Sequence, residues 1–90
     1  MAVLIDPPIW PGPRGLLWSH LVSDHSLDEL HEFAARLGAP PRAFDRDHYD
    51  VPETAYERAI MLGAEPVSSR VLVMRLTAAG LRRRRLRQPG

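Results

Sequence analysis

Apolar and polar positions change their spacing several times along the chain, and each change marks an element. Ala2-Val3-Leu4-Ile5 is an unbroken, β-branched-rich run closed by Asp6 and Pro7-Pro8, which predicts a short, fully buried strand with an acid at its C-terminal end. From Leu16 to Val22 the period is two, with Leu17, Ser19 and Leu21 on one side of a second strand and Trp18, His20 and Val22 on the other. The period then becomes helical. Leu27, Leu30, Phe33, Ala34 and Leu37 line one face, Ser26 and Glu29 form an N-terminal capping pair, and Gly38 with Pro40 ends the helix, predicted over 27–37. His31 falls at the edge of its buried stripe.

After an extended piece at Arg42-Ala43-Phe44, Pro52-Glu53 opens a second helix with Ala55, Tyr56, Ala59, Ile60 and Leu62 as its buried stripe and Gly63 as its stop. Ala64 to Val67 reads as a brief edge strand, because Pro66 has no N–H for a ladder. Ser68-Ser69-Arg70 begins the last helix, where Val71, Leu72, Val73, Leu76 and Ala79 make a broad apolar face expected to be mostly buried. This order predicts a small α/β sandwich with a short, partly parallel sheet and three helices.

Two stretches follow neither period. Pro7 to Gly15 holds four Pro and two Gly around Ile9 and Trp10, which predicts an irregular loop with Trp10 packed back onto the core. Asp45 to Pro52 gathers three carboxylates, an imidazole and a phenol, and reads as a loop rich in titratable groups. The plainer reading of that loop is a polar turn whose Asp residues cap the following helix.

Length and charge narrow the picture. Ninety residues make a single domain, read as 1–81, with a disordered Arg-rich tail over 82–90. So small a core leaves a homodimer as one route to added stability. With no Cys, any metal is held by His and carboxylates, and a reducing cytoplasm is the expected compartment. The first apolar run meets an acid too soon for a signal-peptide core, and no run approaches a membrane span. The net charge of +1 conceals an asymmetry: all twelve basic residues are Arg, and up to Gly80 seven Arg stand against eleven acids, giving −4. The Arg82 to Arg87 run is therefore the electrostatic candidate for nucleic acid, as a non-specific phosphate binder.

The candidate chemistry sits at strand ends. Asp6, Asp24 and Ser68 each follow a strand, and parallel strands would deliver all three to one rim, closed over by Asp47, His48 and Asp50. Asp6, Asp24, His48 and Asp50 are the expected ligands of a divalent ion such as Mg²⁺, Mn²⁺ or Zn²⁺. His20 joins His48 and Asp50 as a catalytic candidate, as ligand or general base. Ser69 and Arg70, at a helix start, are the expected holders of a phosphate. These expectations amount to a metal-dependent phosphoesterase or nuclease-like enzyme acting on a phosphate-containing small molecule or nucleic acid. The competing expectation is a non-catalytic module that binds nucleic acid or protein through the rim and the tail. P-loop, H-E-x-x-H and G-x-S-x-G motifs are absent from the sequence. A helix-turn-helix around Gly63 is disfavoured by Glu65-Pro66 in its turn and by apolar residues where bases would be read.

Met1 to Pro8, Trp18 to Asp24, Leu27 to His31 with Phe33 to Gly38, His48 to Val51, and Leu62 to Arg70 together resemble a small bacterial and phage family, domain of unknown function 4031. The resemblance extends nearly to Gly80. It implies a bacterial or phage protein with no assigned activity, and supplies no catalytic residues.

Overall fold

The computed structural model describes residues 2–82. An inner strand of its sheet is β1, Val3–Ile5, all three residues of which are buried. On one side β1 pairs antiparallel with β3, Leu17–Ser23, placing Leu4 opposite Val22; on the other it pairs parallel with β6, Glu65–Pro66. A strand with neighbours on both edges and helices on both faces shows no polar alternation, which explains the unbroken Val-Leu-Ile run. Beyond β3 the sheet continues through β5, His48–Pro52, to β4, Phe44–Asp45, and β2, Trp10–Pro11, pairs with the start of β3. The result is the expected small α/β sandwich with a partly parallel sheet and three helices.

The two faces of the sheet are unequally covered. Val3, Ile5, Leu21, Tyr49 and Val51 point to one side and pack with Leu30, Phe33, Ala34 and Leu37 of α1, Leu27–Leu37, and with Ala59 of α2, Tyr56–Met61. Leu4 and Val22 point to the other side, where α3, Ser69–Ala78, meets them with Leu72 and Leu76. α3 was expected to be mostly buried. Its buried residues Leu72 and Leu76 meet Leu4 and Val22 as a single i, i+4 stripe, and Val73 and Met74 stay 41% and 59% exposed.

Local chemistry fixes the ends of α1. Ser26 Oγ accepts from Glu29 N–H at 3.0 Å, and Gly38 closes the helix at a φ of 90°. The returning half of the capping pair runs through Ser23. Its hydroxyl donates to Glu29 Oε1 at 2.6 Å and accepts the N–H groups of His25 and Ser26.

Two expectations change. Asp45 to Pro52 is a β-hairpin, not a loop: β4 turns at Arg46, whose φ is 58°, into β5, where Tyr49 and Val51 are buried and alternate with His48 and Asp50. The period of two was present, masked by titratable groups on its outer face. Pro52 both ends β5 and caps the helical stretch expected after it, which begins as a 3-10 helix, Glu53–Ala55, and continues into α2. The Pro-rich loop contains β2, and Trp10, 42% exposed, lies on His20 and not on the core. The expected disordered tail lies, from residue 83 onward, outside the described residues. No helix among the described residues is long and apolar enough to cross a membrane.

Asp24 sits at the far end of the sheet from Asp6. Because β3 runs antiparallel to β1, its C-terminal end meets the start of β1, where Asp24 accepts Ala2 N–H at 2.8 Å and Arg75 Nε–H at 3.2 Å. Arg75 also donates to Glu65 at 2.9 Å. Partial burial would raise the Asp24 pKa, but the Ala2 and Arg75 hydrogen bonds outweigh it and hold the carboxyl below its ordinary value. Its contribution to stability is therefore present above pH 3.8, the unfolded value, and is lost as pH falls through the lower folded value. Asp24→Ala is expected to cost about 1–2 kcal/mol, which equilibrium denaturation will read as a lower midpoint with an unchanged m-value.

Candidate metal centre

Asp6 stands where β1 ends, on the sheet face that α3 covers only in part, and is 0% exposed. Such a carboxylate must be fully hydrogen-bonded. Oδ1 accepts His20 N–H at 2.6 Å, while Oδ2 accepts Ser69 Oγ–H at 2.7 Å and Trp10 Nε1–H at 3.2 Å and lies 2.9 Å from His20 Nδ1. Burial pushes the Asp6 carboxyl up, but the His20 and Ser69 hydrogen bonds bring it below the ordinary carboxylate value, so it is ionised. The Ser69 contact follows from topology. Parallel β1 and β6 leave the sheet at one edge, and the first residue of α3 arrives over Asp6.

The imidazole of His20 turns Nδ1 to Asp6. Directly across the β3–β5 ladder stands Asp50, and His48 lies two residues before it on the same face. The His20 and His48 rings meet edge-on with centroids 5.1 Å apart, and Trp10 stands edge-on to His20 at 5.3 Å. His48 has a carboxylate at each nitrogen, with Nδ1 2.8 Å from Asp47 Oδ1 and Nε2 3.2 Å from Asp50 Oδ1. The tight turn around Arg46, in which Asp47 N–H donates to Asp45 O at 2.6 Å, puts the buried Asp47 beside His48. Burial lowers the His48 pKa, but hydrogen bonds to Asp50 and Asp47 outweigh it and leave the imidazole above its ordinary value.

One ligand atom each from His20, His48 and Asp50 lies within 4.8 Å of the others. Two imidazoles whose Nδ1 atoms face buried carboxylates are oriented as metal-binding histidines usually are. Two donors about 2.0–2.1 Å from one tetrahedral ion stand roughly 3.3 Å apart, close to the His48 Nε2–Asp50 Oδ1 separation of 3.2 Å. A cleft of about 680 Å³ adjoins the cluster, walled by His20, Asp50, Trp10 and Trp18, with Arg14 and Arg42 also lining it.

The structure thus brings Asp6, His20, His48, Asp50 and Ser69 together. Asp6 stands behind His20 and is not among the three residues whose ligand atoms converge. Ser69 gives its hydroxyl hydrogen to Asp6 and not to a histidine, so a Ser–His nucleophile is not assembled. Arg70 is exposed one residue further along α3. Asp24 is not brought to the site; the single rim drawn from the sequence required β3 parallel to β1. Asp47, expected to close over the rim but not as a ligand, orients His48, and Trp10, outside the expected site, holds Asp6 through its Nε1.

A family model described as "Protein of unknown function (DUF4031)" matches residues 3–79. The chain belongs to this family. All of Asp6, His20, Asp47, His48, Asp50 and Ser69 fall within the DUF4031 match. Comparison with curated proteins and with solved structures gave no match.

Two outcomes are expected. The His48 ring, followed by NMR, titrates above pH 6.5, and Asp47→Asn moves its midpoint down; the stability it contributes is present below 6.5 and is lost as pH rises through the folded value. Asp6→Ala leaves the His20 N–H, the Trp10 Nε1–H and the Ser69 hydroxyl without their acceptor and is expected to cost about 3 kcal/mol or more in denaturant unfolding.

Proposed function

We propose that this protein is a metal-dependent hydrolase of phosphoesters, with His20, His48 and Asp50 holding one divalent ion. The observation that carries the reading is the paired orientation of the histidines: the Nδ1 atoms of His20 and His48 face the buried carboxylates of Asp6 and Asp47, and the two rings converge with Asp50. The carboxylates of Asp6, Asp47 and Asp50 around the two imidazoles are compatible with a bound cation.

Two nitrogens and one oxygen suit Zn²⁺ or Mn²⁺ better than Mg²⁺, which prefers oxygen ligands throughout. Bound there, the ion would supply a water of lowered pKa and a Lewis acid for a phosphoryl oxygen. The residues of this chain do the rest. Asp6 fixes the tautomer of His20, Ser69 and Trp10 fix Asp6, and Arg14 and Arg42 line the cleft as cations for phosphate oxygens. Ser69, expected from the sequence to hold phosphate, serves Asp6 in this scheme.

Calorimetric titration of Zn²⁺ or Mn²⁺ into the chelator-treated protein is expected to show saturable, near-stoichiometric binding that is absent from His48→Ala/Asp50→Ala. Affinity should weaken as pH is lowered, because the ion and a proton compete for His48. At free metal 100 times Kd, the gain in unfolding free energy should be about 2.7 kcal/mol. A folded protein that binds neither ion would overturn the metal reading and return the cluster to a structural role, with the rim and tail as a binding module.

A further inference from the structure

Both tryptophans of the chain stand beside the metal cluster, which is unusual for the residue type most valuable to a small core. Trp10 and Trp18 are cross-strand partners on β2 and β3, and Trp18, His20 and Val22 share one face of β3. Val22 is covered by α3, whereas Trp18 and His20 lie on the part of that face that borders the cleft. Trp10 is 42% exposed and Trp18 half-buried, so each keeps aromatic surface open to a ligand.

The loop that carries them is built around these rings. Gly12 lies so close to Trp18 that an added Cβ would come within 2.5 Å of the indole, and Trp18 Nε1–H donates to Pro13 O at 3.2 Å. Arg14, held at a φ of 61°, places its guanidinium 5.6 Å from the Trp18 ring centroid. A non-glycine residue in that backbone region is uncommon and costs on the order of 1 kcal/mol, which makes the guanidinium's position a feature to account for. Ser19 Oγ, on a residue 1% exposed, lines the same cleft and has no hydrogen-bond partner among the described residues.

We infer that the cleft binds a nucleotide unit, with its base on the Trp10–Trp18 surface and its phosphate between Arg14 and the His20–His48–Asp50 cluster. Aromatic rings on an open sheet face flanked by guanidinium groups are a means of holding bases that works through the π-face common to all of them. Arg14 and Arg42 complement the phosphate, and a metal ion at the cluster would lie beside its phosphorus. The hydrolytic consequence rests on the metal reading above, since the phosphoester bond broken by water is the one brought to that ion. Recognition of the base does not, because the tryptophans stack on it without a metal, while Arg14 serves the phosphate. Mononucleotides and single strands share this chemistry.

The tryptophans are also the reporters, because the chain has no others. The chelator-treated protein is titrated with AMP, with a short oligothymidylate, with ribose 5-phosphate and with adenosine while intrinsic tryptophan fluorescence is followed. Saturable quenching is expected with AMP or the oligonucleotide, and weaker binding of ribose 5-phosphate by about five- to hundredfold, the range that loss of one stacked base gives. AMP binding without oligonucleotide binding assigns a mononucleotide substrate; tighter oligonucleotide binding assigns a single strand. Arg14→Gly removes the guanidinium and relieves the left-handed backbone, so it should fold at least as well as the parent protein. It should weaken AMP and leave adenosine unchanged. Equal response to AMP and ribose 5-phosphate, or no saturable quenching by any of these probes, would overturn the inference. Because metal is excluded, a failure here is separate from a failure of the calorimetric metal titration.

Discussion

A buried, ionised carboxylate at the end of an inner strand is the constraint on which the rest of the molecule depends. Isolating such a charge from water costs several kcal/mol, so Asp6 demands donors from several directions. They come from the β3 backbone, from Trp10 beyond the Pro-rich bend and from Ser69 at the start of α3. Each donor ties a separate piece of chain to the end of β1. The hydrogen bonds thereby fix the entry of α3, the fold of the loop back onto β3 and the orientation of His20.

The asymmetry of the sheet leaves room for polar side chains on one of its faces. One face is sealed by α1 and α2 over an apolar surface that includes Val3, Ile5, Leu21 and Val51. The other is sealed only where Leu4 and Val22 meet α3. On the remainder of that face, side chains need not be apolar, and the sequence places His20, His48, Asp50 and the two tryptophans there. Antiparallel pairing of β3 and β5 then matters in detail, because it puts His20 directly opposite Asp50. A slip of one residue would turn His48 and Asp50 into the apolar layer under α1.

The second buried acid, Asp47, repeats the logic of the first on a smaller scale. A tight turn at Arg46 delivers it to His48, as the end of β1 delivers Asp6 to His20. Asp24, by contrast, is an acid of similar sequence context with a different task, joining the chain's start to Arg75 of α3 at the opposite end of the sheet. Identical side chains at successive strand ends thus serve a site and a brace, and the direction of the strand decides which.

What the sequence determined by itself was a set of elements whose short-range periodicity is unmasked. The β1 run, the alternation of β3, helix α1 with its Ser26 cap and Gly38 stop, and the short edge strand at Pro66 follow from contacts within a few residues. His20, His48 and Asp50 could be nominated because their chemistry is visible in the letters. Their convergence could not, since it depends on the β3–β5 register across about thirty residues of intervening chain. Nor could the separation of Asp24 from Asp6, since an apolar run carries no mark of parallel or antiparallel pairing. The hairpin at Asp45 to Pro52 was concealed because burial of Tyr49 and Val51 on one side only is a property of the assembled sheet. Local spacing selects elements; the direction and register in which strands meet decide which of their polar residues become neighbours.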